Sequence, residues 1–79
     1  MNLEHRKLLE EVDVELTRAL RLHGPMHSAH EAYSVLLEEV DEFWEEVRKK
    51  TAKRSRERMR EELIQIAAMA VRAIKDICE

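Results

Sequence analysis

Residues 28–47 read SAHEAYSVLLEEVDEFWEEV, and this stretch decides the fold. Ser28 followed three residues later by Glu31 matches a capping box, in which the hydroxyl and the carboxylate satisfy orphan amides at a helix start. Behind it, Ala29, Ala32, Tyr33, Leu36, Leu37, Val40, Phe43, Trp44 and Val47 recur at steps of three and four. That period places them on one side of an amphipathic helix.

Working outward toward the N-terminus, Gly24-Pro25 separates this helix from an earlier one. Leu8, Leu9, Val12, Leu16, Ala19 and Leu20 form an apolar stripe on a helix from about Asn2 to His23. Gly24 suits the left-handed position past a helix end, and Pro25 cannot continue the hydrogen-bond ladder. Toward the C-terminus, amphipathicity fades through Arg48–Arg56, where Thr51 and Ser55 are candidate caps. One continuous bent helix is the competing reading, but it is too long for a compact chain of this size. A third helix runs from near Arg56 to about Ile77, with Met59, Leu63, Ile66, Ala70, Ile74 and Ile77 as its core line. Between Leu63 and Ile74 only Gln65 and Arg72 are polar. A helix that is apolar nearly all round is buried on more than one side. The expected fold is therefore all-α, with three main helices in a single domain, 1–79, and a bundle completed by self-association.

Composition narrows the classes further. With 79 residues, one Gly, one Pro and 4% aromatics, the chain lacks the turn signals of a β-sandwich or barrel. Its single cysteine, Cys78, excludes a disulfide framework or a cysteine-based zinc site. No apolar run reaches the roughly 18 residues of a membrane span. Met1–Lys7 is too charged for a signal peptide, so a soluble, cytoplasmic protein is expected. The net charge of −3 gives no reason to expect a nucleic-acid polymer as partner. It conceals an asymmetry, however: seven acids and no Lys or Arg between His30 and Glu46, then eight bases and one acid between Arg48 and Arg60. Such blocks suit a cation and its anionic ligand, or simply two solvated faces.

Glu39 and Glu42, three apart, border the apolar stripe of the second helix, and Glu62 and Gln65 occupy a similar strip of the third. If the two helices pack through their apolar stripes, these four side chains converge. Three carboxylates and an amide oxygen make a hard, all-oxygen site suited to Mg²⁺ or Mn²⁺. Without a cation, the carboxylates would repel one another and raise each other's pKa values.

Leu37-Glu38-Glu39-Val40-Asp41-Glu42, followed by Glu61-Glu62-Leu63-Ile64-Gln65-Ile66-Ala67, resembles the pattern of MazG-like proteins, members of the all-α nucleoside triphosphate pyrophosphohydrolases. Their signature is E-x-x-E on one helix and E-x-x-D on the next, and the resemblance covers roughly residues 26–77. It implies that Glu39, Glu42 and Glu62 are metal ligands, with Gln65 at the position of the family's Asp. An amide there can still coordinate, with one negative charge fewer. The implied reaction is hydrolysis of a nucleoside triphosphate to a monophosphate and diphosphate, with Mg²⁺ or Mn²⁺ as cofactor. Glu38 or Glu61 would orient the attacking water. Lys53, Arg54, Arg56 and Arg72, with Lys49 and Lys50 as further candidates, would offset phosphate charge.

Each feature also has a plainer reading. The Glu pairs can be a solvated face with pairs such as Glu45 to Lys49, and the basic segment an ordinary hydrated connection. His23, His27 and His30 lack the spacing and cysteines of a zinc site. Tyr33, Leu37 and Trp44 fit core or interface packing better than stacking on a base. Met59 and Met69 fit as core fillers. The alternative to an enzyme is a non-catalytic helical interaction module with a degenerate metal site, and Gln65 is the residue that separates the two.

Overall fold

The computed structural model describes residues 1–79. It has three α-helices and no strand: α1 (Leu3–Leu22), α2 (Ala29–Val47) and α3 (Arg56–Ala73). A short 3₁₀ turn, Thr51–Lys53, lies between α2 and α3, and α3 continues as a π-helical turn, Ile74–Cys78. None of the helices is long and apolar enough to cross a membrane.

Each helix starts on a side-chain cap. The Asn2 side chain accepts from the amides of Glu4 and His5, Ser28 from that of Glu31, and Ser55 from that of Arg58. These oxygens satisfy amides that have no partner inside the helix. Glu31 does reach back, but to the amide of His27 (2.9 Å) rather than that of the Ser28 cap itself. Gly24 does not take the left-handed conformation expected from its place after α1, since no residue has a positive φ of that kind. The chain leaves α1 through an extended His23 (φ −131°, ψ 147°). Pro25 disfavours the helical region for Gly24, so the helix cannot run on through the joint.

α3 is the central element. Both α1 and α2 pack along it and make little contact with each other. The core consists of Ala19, Met26, Ala32, Ala68 and Met69, with Val12, Leu16, Val35, Leu36, Ala73 and Ile77 packed around it. Ala68 is completely buried. The small residues at Ala19, Ala32 and Ala68 let the three helices approach closely, as the alanine-rich run of α3 suggests.

The stripes do not face inward as expected. α2 meets α3 through the flank that carries Ala32, Val35, Glu39 and Glu46, roughly a quarter turn from the centre of its apolar stripe. Tyr33, Leu37, Val40 and Trp44 remain exposed, as do Leu63 and Ile74 of the expected α3 core line. The buried α3 residues are instead Glu62, Ala68, Met69 and Arg72. Met69 fills the core as expected, while Met59 is half-buried.

Two polar contacts set the ends of this packing. Near the α2–α3 connection, buried Glu46 accepts from the Ser55 amide (2.9 Å) and from Lys49 Nζ (3.0 Å). The Ser55 amide, and secondarily Lys49, hold the Glu46 carboxyl below its ordinary pKa. Near the α1–α2 joint, buried Arg72 donates to the Gly24 carbonyl and sits 3.8 Å from Asp76. Asp76 in turn accepts from the Met26 amide (2.9 Å). Arg72 and Asp76 thus clasp residues 24–26 onto the end of α3.

Removing the cation from this clasp leaves Asp76 and the Gly24 carbonyl without it in a largely dry setting. Arg72→Met is expected to cost about 3 kcal/mol, the scale seen when one partner of a buried polar pair is lost. A urea denaturation midpoint equal to that of the parent chain would show that the clasp contributes nothing.

Candidate functional site

The acidic flank of α2 is where chemistry can reside. Glu39 and Glu42 lie one turn apart on α2, and Glu62 reaches them from α3. One carboxylate oxygen from each of the three lies within 4.8 Å of the others. Glu62 is buried, Glu39 half-buried and Glu42 exposed. The cluster therefore opens to solvent at Glu42 and closes at Glu62. Glu39 Oε2 and Glu62 Oε2 are shielded from solvent and have no hydrogen-bond partner.

That environment resists ionisation. Burial, reinforced by the charges of Glu42 and Glu62, pushes the Glu39 carboxyl up to about 7. The Glu62 carboxyl is also raised, by burial first and then by the close approach and charge of Glu42. Arg58, whose Nε lies 3.6 Å from Glu62 Oε1, acts in the opposite direction. Arg58 thus pairs with one of the three carboxylates, that of Glu62. Three clustered carboxylates, two of them with shielded oxygens that lack a partner, offer the oxygen donors a hard divalent cation takes, so the residues fit such an ion.

The other sequence-derived candidates fall around this cluster. Glu61 and Gln65 line a cleft of about 640 Å³ between α1 and α3, together with Glu15, Arg18 and Arg60. Glu38 lies in a separate depression of about 550 Å³ with His23, His27, Glu39 and Arg72. Lys53 lies in the 3₁₀ turn of the α2–α3 connection, and Arg54 Nε donates to the Val47 carbonyl there (2.8 Å). Arg56 lines a separate apolar groove. Arg72 is buried, and its donors are directed to the Gly24 carbonyl and the Met69 sulfur.

Reasoning from sequence assigned α1 no part in the site. Arg18 makes a two-pronged pair with Glu15 (2.6 and 2.9 Å) at the cleft wall, and its charge also feels Glu39. Arg60 and Glu11 tie α3 to α1 across the same cleft. An i,i+3 Glu15–Arg18 pair was visible in the sequence, but nothing there indicated which helix it would face.

The raised Glu39 pKa fixes a pH dependence. Because the folded value of about 7 exceeds the ordinary value of 4.5, the native state holds the proton more tightly than the unfolded chain. Stability of the metal-free protein should therefore fall as pH rises through that window. Glu39→Gln should flatten the decline, and Mn²⁺ should restore stability at the alkaline end. Thermal midpoints measured across the window check this, and a rise with pH over the same range would refute it. Comparison of the chain with protein-family models, curated proteins and solved structures finds no match.

Proposed function

We propose that the chain is a Mg²⁺- or Mn²⁺-dependent nucleoside triphosphate pyrophosphohydrolase that releases a nucleoside monophosphate and diphosphate. The observation that carries the reading is the convergence of Glu39, Glu42 and Glu62, with unpartnered oxygens on two of them. The resemblance of their two helical motifs to MazG-like proteins supplies the reaction class.

In this reading Glu39, Glu42 and Glu62 hold the cation. A divalent ion so held neutralises phosphate oxygens and lowers the pKa of an attacking water. Glu38 and Glu61 each neighbour a cluster carboxylate in the chain, and either can accept the proton of that water. Gln65, beside Glu61 in the cleft, offers a neutral acceptor and donor to the substrate. Lys53, Arg54 and Arg56 supply positive charge beyond the end of α2. Arg72, by contrast, orients the α1–α2 joint against α3.

A second reading, a non-catalytic module that keeps the cation site, is favoured by one observation. The cluster joins three carboxylates, and the family's fourth acid is replaced by Gln65.

Diphosphate release from a panel of nucleoside triphosphates with Mg²⁺ or Mn²⁺ tests the enzyme. Glu62→Gln should lower turnover beyond the roughly 10–100-fold cost of losing an outer-shell partner. Absence of turnover with Mn²⁺ binding retained would select the non-catalytic module. Unchanged Mn²⁺ affinity by calorimetry in Glu39→Gln would remove that residue from the ligand set.

Gln65 provides an independent handle. Gln65→Asp should raise turnover if the amide is a weakened ligand position, since it restores the missing charge. Lower turnover would show that the amide acts on the substrate from the cleft.

A further inference from the structure

The strongest feature outside the acidic cluster is the placement of positive charge. Leu8 and Val12 of α1 share a groove with Phe43 of α2 and with Arg56 and Met59 of α3, and Glu11 pairs with Arg60. The first half of α1, the last turns of α2, the connection and the first turns of α3 therefore lie at one end of the bundle. Residues 1–12 and 43–60 hold ten Lys and Arg against six Asp and Glu, whereas the remainder holds four against eleven. The net charge of −3, which gave no reason to expect a polymeric anion as partner, conceals this because the two parts oppose each other. We infer that the basic end binds the phosphate backbone of a nucleic-acid strand, without regard to base sequence.

The first argument is which charges are free. Arg48, Lys49, Arg58 and Arg60 are engaged by Glu45, Glu46, Glu62 and Glu11, and Arg54 is held by the Val47 carbonyl. Arg6, Lys7, Lys50, Lys53 and Arg56 are exposed and form no ion pair. They come from α1, the connection and α3, so the fold rather than the local sequence assembles them at one end. Such a base releases condensed counterions when it meets a phosphate, and it gives up no carboxylate partner.

The surroundings of these charges select the partner. Between Arg48 and Arg58 the only apolar residue is Ala52. A protein partner needs a desolvated, largely apolar centre, and an interfacial lipid contact needs an apolar side chain to seat among the acyl chains. Backbone phosphates need only spaced cations and hydrogen-bond donors, and Thr51 adds a hydroxyl between Lys50 and Lys53. Contacts of this kind position a strand and carry no sequence information. The inference is independent of the proposed hydrolysis, because binding is read without a divalent cation and with a strand that carries no triphosphate.

Fluorescence anisotropy of a labelled single strand of about 20 nucleotides, long enough for one ordinary site, tests the proposal. The full chain is titrated into it in the presence of a chelator. Five phosphate contacts predict a slope of about −3.5 for the logarithm of the association constant against that of salt concentration. Affinity should therefore fall roughly 100-fold between about 50 and about 200 mM salt. Lys7→Gln combined with Lys50→Gln should weaken binding roughly 20-fold at about 100 mM salt. Arg21→Gln combined with Lys75→Gln makes the same change in net charge at the other end and should leave affinity and slope unchanged. All four side chains are exposed and unpaired, so circular dichroism should show both variants folded. Strands of different sequence should bind alike. No binding at about 50 mM salt, a slope near zero, or equal losses in the two double variants would each overturn the proposal. Tighter binding to polyaspartate than to the strand would also overturn it, and would assign the surface to an acidic protein.

Discussion

The contact on which the rest depends is that of α2 with α3 through an acidic flank. Burial of Glu39 and Glu62 beside Glu42 is unfavourable for three ionised carboxylates, since each loses hydration and gains like-charged neighbours. The protein answers with a proton, which the raised Glu39 pKa describes; in the proposed function a cation takes its place. The alanines make the approach possible. With Ala32 and Ala68 at the helix contact, the backbones come close enough for carboxylates on separate helices to meet within 4.8 Å. Larger side chains there would separate the helices, and the cluster would dissolve into a solvated face.

An unfavourable cluster in the middle of a helix pair requires firm ends, and each end has a polar fastening. Glu46 receives the Ser55 amide and Lys49, which ties the last turn of α2 to the first of α3. Arg72 and Asp76 grip the Gly24 carbonyl and the Met26 amide, which ties the start of α2 to the end of α3. The acids between them are thus held in place by contacts in which they do not take part. Since Arg72 is one of these fastenings, its conversion to a phosphate ligand would compete with the geometry that assembles the cluster.

The local features were legible in the sequence because their signals are short-range. Ser28 and Ser55 cap helices from adjacent residues, and the Gly24-Pro25 stop needs only two. The Glu39–Glu42 pairing follows from helical periodicity alone. What was not legible needed partners distant in the chain. Arg72 reaches Gly24 across 48 residues, and Arg60 reaches Glu11 across 49. The rotation of α2 was hidden for a different reason. A stripe such as Tyr33-Leu37-Val40-Trp44 records which side chains favour leaving water, but not whether their own chain or another one covers them.

That rotation explains two features with one cause. If α2 turned to bury its stripe against α3, Glu39 would swing toward the surface and lose Glu62, and no three-carboxylate cluster would remain. If it stays as it is, the cluster exists and the stripe is left outside. A single protomer of this size cannot satisfy both demands, because α3 has only one flank to offer α2. The structure meets one of them: the α2–α3 contact forms the acidic cluster, and the apolar stripe stays exposed.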